Sequence, residues 1–130
     1  MAEQELRLRV LPGELAVARL EPGAMFPEWA LGGPLQAVTR TPRECSLVCA
    51  WAGVPAHVRR EGPFRALEVE GPLDFALTGI LSALLAPLAE AGLSVFALST
   101  FDTDYVLVRT ERLEEATRAL EAAGHAILSA

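Results

Sequence analysis

Only three aspartates occur in the 130-residue chain, Asp74, Asp102 and Asp104, and they fall in two short segments. Asp74 ends Gly71-Pro72-Leu73-Asp74, just before Thr78-Gly79-Ile80, where an apolar helix is predicted to start. Asp102 and Asp104 belong to the polar run Ser99-Thr100-Phe101-Asp102-Thr103-Asp104, which follows the strand predicted beyond that helix. Free N–H groups at a helix start attract a carboxylate. Aspartates accept charge-assisted hydrogen bonds from an ammonium or guanidinium group. Side by side, the two features complement a zwitterion such as an amino acid. Gly71 and Gly79 let a ligand approach the backbone closely, and Leu73, Phe75 and Phe101 supply apolar walls. Asp102 is the residue most expected to touch a ligand, whereas Asp104 alternates to the other side and orders the turn. An ordinary structural explanation stands beside this one: Asp-Thr-Asp between strands is Asx-turn chemistry, and Gly-Pro-Leu-Asp is a common loop into a helix.

These segments need a frame to hold them. Residues 64–70 alternate, with Leu67 and Val69 on one face and Glu68 and Glu70 on the other, as in a half-buried strand. Leu81, Leu84, Leu85 and Leu88 define one helical face, with Thr78 as its N-cap, Gly92 beyond its C-terminus and Pro87 as a site for a kink. Residues 93–98 are apolar on both faces, which predicts a strand covered on both sides or central in its sheet. Residues 105–109 form the next strand. Thr110 is expected to cap a second helix that carries Leu113, Ala116, Leu120 and Ala123 on one face and a Glu114–Arg118 pair on its surface. Gly124 ends this helix, His125 caps its last carbonyls, and residues 125–129 form a final strand. The order βαββαβ is the ferredoxin-like pattern.

Arg59-Arg60-Glu61-Gly62-Pro63 reads as a charged turn that divides the chain into residues 1–61 and 62–130. Before it, strands are predicted at 6–11 and 14–20 around Pro12-Gly13, and at 35–40 and 45–51 around Thr41-Pro42-Arg43. One helical turn is expected at Glu28-Trp29-Ala30. No full helix is evident there, so this part reads as a strand-rich, degenerate version of the same unit that packs on the other half. The predicted fold class is α+β.

Hydrophobic residues make up 52% and charged residues 22% of the chain, the composition of a packed domain. A net charge of −6 with scattered arginines argues against nucleic-acid binding. No run of about 18 apolar residues suggests a membrane span, and the acidic start MAEQELRLRV lacks the pattern of a secretory signal. A cytoplasmic protein is expected. Cys45 and Cys49 lack the further ligands a zinc site requires and read as reduced, buried thiols. Neither a metal nor a cofactor is expected. His57 and His125 are isolated, Ser46, Ser82, Ser94 and Ser99 lack a nucleophile-elbow context, and no phosphate- or dinucleotide-binding glycine pattern occurs. Acid–base work by Asp74 and Asp102 lacks a group to orient a substrate. No catalytic residue is assigned, and the chain is not expected to be an enzyme. Trp29 and Trp51 suit a core or an interface.

Residues 71–108, GPLDFALTGILSALLAPLAEAGLSVFALSTFDTDYVLV, run from a loop through Thr-Gly-Ile-Leu opening a helix and Ala-Glu-Ala-Gly closing it to an apolar strand. This resembles the ACT domain of regulators of amino-acid metabolism. The 99–105 run STFDTDY, with 69–75 VEGPLDF and 44–49 ECSLVC, is similar to small bacterial ACT proteins related to the CASTOR-type arginine sensors. The likeness covers residues 44–108. It implies two tandem ACT units, non-enzymatic ligand sensing and assembly through side-by-side sheets; the ligand expected is an amino acid, the assembly a homodimer, and a biosynthetic enzyme is a further candidate partner. It also implies ligand contacts from the loop Gly71, Pro72, Leu73, Asp74, Phe75 and Thr78, from Gly79 and Ile80 at the helix start, and from Ser99, Thr100, Phe101 and Asp102. The arginine sensors have four units where this chain has two, which leaves a pocket between subunits open. The alternative is an ACT module that pairs with itself or with an enzyme and binds no small ligand.

Overall fold

The computed structural model describes residues 5–74 and 78–128, so Phe75 lies outside the described residues. The chain forms two compact units. One is Pro12–Phe64; the other joins the chain up to Leu11 with everything from Arg65 onward. The segment 59–63 is therefore not the turn expected from its Gly-Pro pair and its charges. It is the first part of an 11-residue strand, β5 (Arg59–Val69), because β2 (Leu15–Leu20) supplies a ladder for it, with Val17, Ala18 and Arg19 opposite Glu61, Arg60 and Arg59.

In the Pro12–Phe64 unit the strands run antiparallel in the order β3-β4-β2-β5, where β3 is Ala37–Arg40 and β4 is Cys45–Ala50. Counted within the unit, that is the ferredoxin-like order 2-3-1-4. Single 3-10 turns, Glu28–Ala30 and Trp51–Gly53, stand where the two helices belong. The core explains the reduction. Ala16, Ala18, Cys45, Leu47 and Cys49 make up most of the buried sheet face, with Ala30 and Val54 over it. Such small side chains let short turns sit close: a Cβ on Gly53 would lie 2.7 Å from the Trp29 carbonyl oxygen. Both thiols are free and buried, and burial pushes the Cys49 thiol up from its ordinary value, which keeps it unreactive.

The other unit contains β1 (Arg7–Val10), the end of β5, α1 (Ile80–Glu90), β6 (Val95–Ser99), β7 (Asp104–Arg109), a 3-10 turn Thr110–Arg112, α2 (Leu113–Ala122) and β8 (Ala126–Leu128). The order β6-β7-β5-β1-β8 is the ferredoxin-like arrangement with one strand wedged in. β1 runs antiparallel to β5, with Leu8 opposite Val69, and parallel to β8, with Leu8 opposite Ile127. Leu6 and Leu8 bury their side chains with Leu67, Val69, Val106 and Val108 against the two helices. That burial takes residues 6–11 out of the first half of the chain.

Several local expectations change. α1 buries Ile80, Leu84 and Leu88, a stripe rotated from the predicted one, and Leu81 is left half-exposed. Gly79, not Thr78, is the N-cap; its φ of 81° is open to glycine, and no side chain caps the helix. Thr110 starts a 3-10 turn instead of capping α2, and its hydroxyl is buried without a partner. The Glu114–Arg118 pair does form, at 3.7 Å. β6 is neither central nor covered on both faces: β7 is its one neighbour among the described residues, and Ala97 and Ser99 are exposed. No helix among the described residues is long and apolar enough to cross a membrane.

α1 continues through Pro87, which cannot donate to the Ala83 carbonyl one turn earlier. His125 replaces the missing donor. Its Nε2 lies 3.1 Å from the Ala83 oxygen, while its Nδ1 accepts the Leu6 N–H at 3.1 Å. The ring is buried; the expected cap on α2 comes from the His125 backbone, whose N–H donates to the Leu120 carbonyl at 3.1 Å. Removing it with His125→Phe orphans two buried backbone groups, at a cost of about 2–4 kcal/mol. Pro87→Ala returns an N–H to the Ala83 carbonyl and recovers part of that loss only in the His125→Phe background. Urea unfolding of the four proteins of this cycle measures the coupling.

Candidate functional site

The loop after β5 and the hairpin turn between β6 and β7 are joined by backbone. The Leu73 N–H donates to the Asp102 carbonyl oxygen at 2.7 Å. Gly71 makes this approach possible: a Cβ there would stand 3.1 Å from the same oxygen and 3.3 Å from Thr103 Cβ. Thr103 anchors the turn from below. Its buried hydroxyl donates to the Val69 carbonyl at 2.6 Å, and its own carbonyl accepts the Thr100 N–H at 2.8 Å. Ser99 and Asp104 face each other at the hairpin's base, the Ser99 hydroxyl donating to Asp104 Oδ1 at 2.5 Å.

Over this pair of segments opens the N-terminus of α1. The Ala83 N–H reaches the Gly79 carbonyl at 2.9 Å, which leaves the N–H groups of Ile80, Leu81 and Ser82 ahead of the first helical bond. A cavity of about 680 Å³ lies between these parts. Of the residues expected at the site, Leu73, Asp74, Gly79, Ile80, Ser99, Thr100, Phe101 and Asp102 line it. Gly71 shapes the turn from behind. Pro72 and Thr78 are not among the described lining residues. Leu81, Thr103 and Asp104 line the cavity without having been expected there. Asp104 both orders the turn, as its spacing suggested, and faces the same space. The pairing of Ser99 with Asp104 across a four-residue hairpin loop is the sequence signal for it.

The lining is one-sided in charge. Three aspartates contribute, and no arginine or histidine is among the described lining residues. Such a wall repels an isolated anion and favours a group carrying positive charge. Among the described lining residues, the backbone amides at the start of α1 are the feature that attracts a negative group.

Tyr105 is the sole tyrosine and reports on this field. Its pKa is pushed up from 10 to about 12 by burial, by the hydrogen bond its hydroxyl donates to Glu68 Oε2 at 2.6 Å, and by the charges of Glu68 and Asp102. A raised phenol favours the protonated form in the fold. The corresponding stability is complete below pH 10 and is lost as pH climbs through about 12. Absorbance titration of the phenolate is expected to show a midpoint near 12 in the folded protein and an ordinary one in denaturant. In Glu68→Gln the folded midpoint moves down toward the ordinary value.

Comparison with known proteins bears on the family and the fold. An ACT-domain family profile matches residues 59–122, and a separate N-terminal-domain profile matches residues 13–57. Protein Atu0741 from Agrobacterium tumefaciens is 36% identical, with a TM-score of 0.91, over 98% of this chain and 96% of that one. Among the structures that share the fold at low identity are two aspartate kinase proteins. Aspartate kinase from Clostridium acetobutylicum, described as an allosteric enzyme, is 12% identical with a TM-score of 0.67, over 90% of this chain and 34% of that one. The regulatory subunit of aspartate kinase from Thermus flavus is 11% identical with a TM-score of 0.61, over 95% of this chain and 99% of that one. The chain therefore belongs to the family of Atu0741, and its residues 59–122 are an ACT domain.

Proposed function

We propose that the protein is a non-enzymatic regulatory module whose acidic cavity binds an amino acid. The ammonium or side-chain cation sits against Asp102, and the carboxylate meets the free amides at the start of α1. One observation carries this reading: the 71–74 loop, the 99–104 turn and an uncapped helix N-terminus line a single cavity in which negative side chains surround one patch of backbone N–H. The ACT match at residues 59–122 and the fold shared with an aspartate kinase regulatory subunit support it. CASTOR-type sensing would favour a basic amino acid, which suits three aspartates. In this reading the protein acts in the cytoplasm, as a homodimer, alone or on a biosynthetic enzyme.

A second reading has its own support. β6 presents an open edge and exposed small residues, as a module would if it paired sheets with itself or with an enzyme and bound no small ligand.

Thermal-shift measurement with each of the twenty amino acids separates the two. At least one is expected to raise the midpoint; a ligand at 100 times its Kd adds about 2.7 kcal/mol. Asp102→Asn abolishes that rise while leaving the ligand-free stability within about 0.5 kcal/mol, since Asp102 is exposed. A bound cation beside Asp102 also lowers the Tyr105 midpoint. If no amino acid moves either readout, the sensing proposal is wrong and the pairing module is favoured.

A further inference from the structure

Three of the five arginines of the Pro12–Phe64 unit line one cavity. The β2–β5 register sets Arg19 directly opposite Arg59, and the β2–β4 register sets Ser46 opposite Arg19. Directly opposed residues share a face, so two guanidinium side chains and a hydroxyl form one row across three strands. Like charges in opposed positions destabilise a sheet, and an anion between them removes that cost. Arg19 spends one guanidinium nitrogen on the Arg43 carbonyl at 3.0 Å, and its other lies 3.8 Å from Glu21. Arg59 is exposed, and no hydrogen bond or ion pair engages it among the described residues.

A third guanidinium reaches the cavity from the other face of β5, where Arg60 stands opposite Ala18. Arg60 Nη1 donates to the Pro55 carbonyl at 2.8 Å, and the group stands 5.1 Å from the centre of the Trp51 ring. Arg19, Arg59 and Arg60 line one cavity of about 620 Å³, together with Ser46, His57 and Trp51. Glu44 and Glu61 line it too, so the arginines outnumber the acids three to two. This is a local excess in a unit whose five arginines and five glutamates balance as a whole.

We infer that this cavity is an anion site for a small metabolite bearing a phosphate or carboxylate group. The planar fork of arginine matches either oxyanion with paired hydrogen bonds. One guanidinium is already immobilised, which lowers the ordering cost of binding. The volume suits a small molecule. Neither Asp102 nor α1 takes part, so the site stands or falls independently of the amino-acid reading.

Trp51 lines the cavity and Trp29 is the other tryptophan, so Trp29→Phe leaves a single fluorescent reporter at the site. Inorganic phosphate and succinate are titrated separately, with chloride holding ionic strength constant. The expected result is a saturable change in Trp51 emission with at least one of them, identifying which oxyanion fits. Arg59→Ala weakens it about tenfold or more, Arg59→Lys less so, and Asp102→Asn not at all. Thermal melts with Trp29 intact give a second reading. Without the anion, Arg59→Gln melts at or above wild type, because the opposed charges are gone. With it, wild type rises and Arg59→Gln does not. Emission that never saturates with either anion, or equal binding or equal stabilisation in wild type and the Arg59 variants, overturns the site.

Discussion

The ACT unit hangs on a hydrogen bond that one residue removes and another restores. Pro87 deletes the donor to the Ala83 carbonyl in the middle of α1, and His125 supplies it from the start of β8 while accepting the Leu6 N–H at the entry to β1. An unsatisfied carbonyl in that core would cost more than the hydrogen bond contributes when made. One imidazole, with its proton on Nε2, thus ties the inserted strand, the long helix and the last strand together. The consequence reaches the cavity. α1 is held to the sheet along Ile80, Leu84 and Leu88, and its position decides where the free amides of Ile80 and Leu81 open relative to the 99–104 turn.

Charge is divided between the two units with the same clarity. The Pro12–Phe64 unit is neutral, so the whole net charge of −6 belongs to the unit with the ACT helices. There the acids serve different ends. Glu70 pairs with Arg7 across the β5–β1 ladder at 2.9 Å, and Glu115 with Arg112 along α2; these are exposed pairs that contribute little. The aspartates gather instead around backbone. Asp102 lends its carbonyl to Leu73, and Asp104 holds Ser99, while their carboxylates remain beside the cavity. The turn is thus held by its own hydrogen bonds on both sides.

Much of this was legible in the residues. The βαββαβ order from residue 64 onward follows from alternation at Leu67 and Val69 and from helical spacing in 80–90 and 113–122. The gathering of Asp74 and Asp102 follows from both flanking the same helix. What escaped was long-range. Nothing local distinguishes RLRV at residues 7–10 from any other strand, and only the pairing of Leu8 with Val69, some 60 residues away, assigns it to the ACT unit. Arg59 to Pro63 carries turn residues, yet β2 overrides that preference by offering a ladder. Val95 to Leu98 looked doubly buried because apolar residues fill both faces, but β6 lies at an edge, and burial is a property of the neighbours a strand acquires.

The edge position gives β6 its meaning. An apolar strand with one flank unpaired is a hazard that proteins ordinarily blunt with charge, proline or cover. Between Val95 and Ser99 there is no charge and no proline. In the turn that follows this strand, Phe101 lines the acidic cavity and is 83% exposed. Along β6 itself the larger side chains Val95, Phe96 and Leu98 are half-buried, and the exposed positions are the small Ala97 and Ser99. Because the turn carrying Phe101 and Asp102 continues directly from this strand, the edge and the cavity belong to one hairpin.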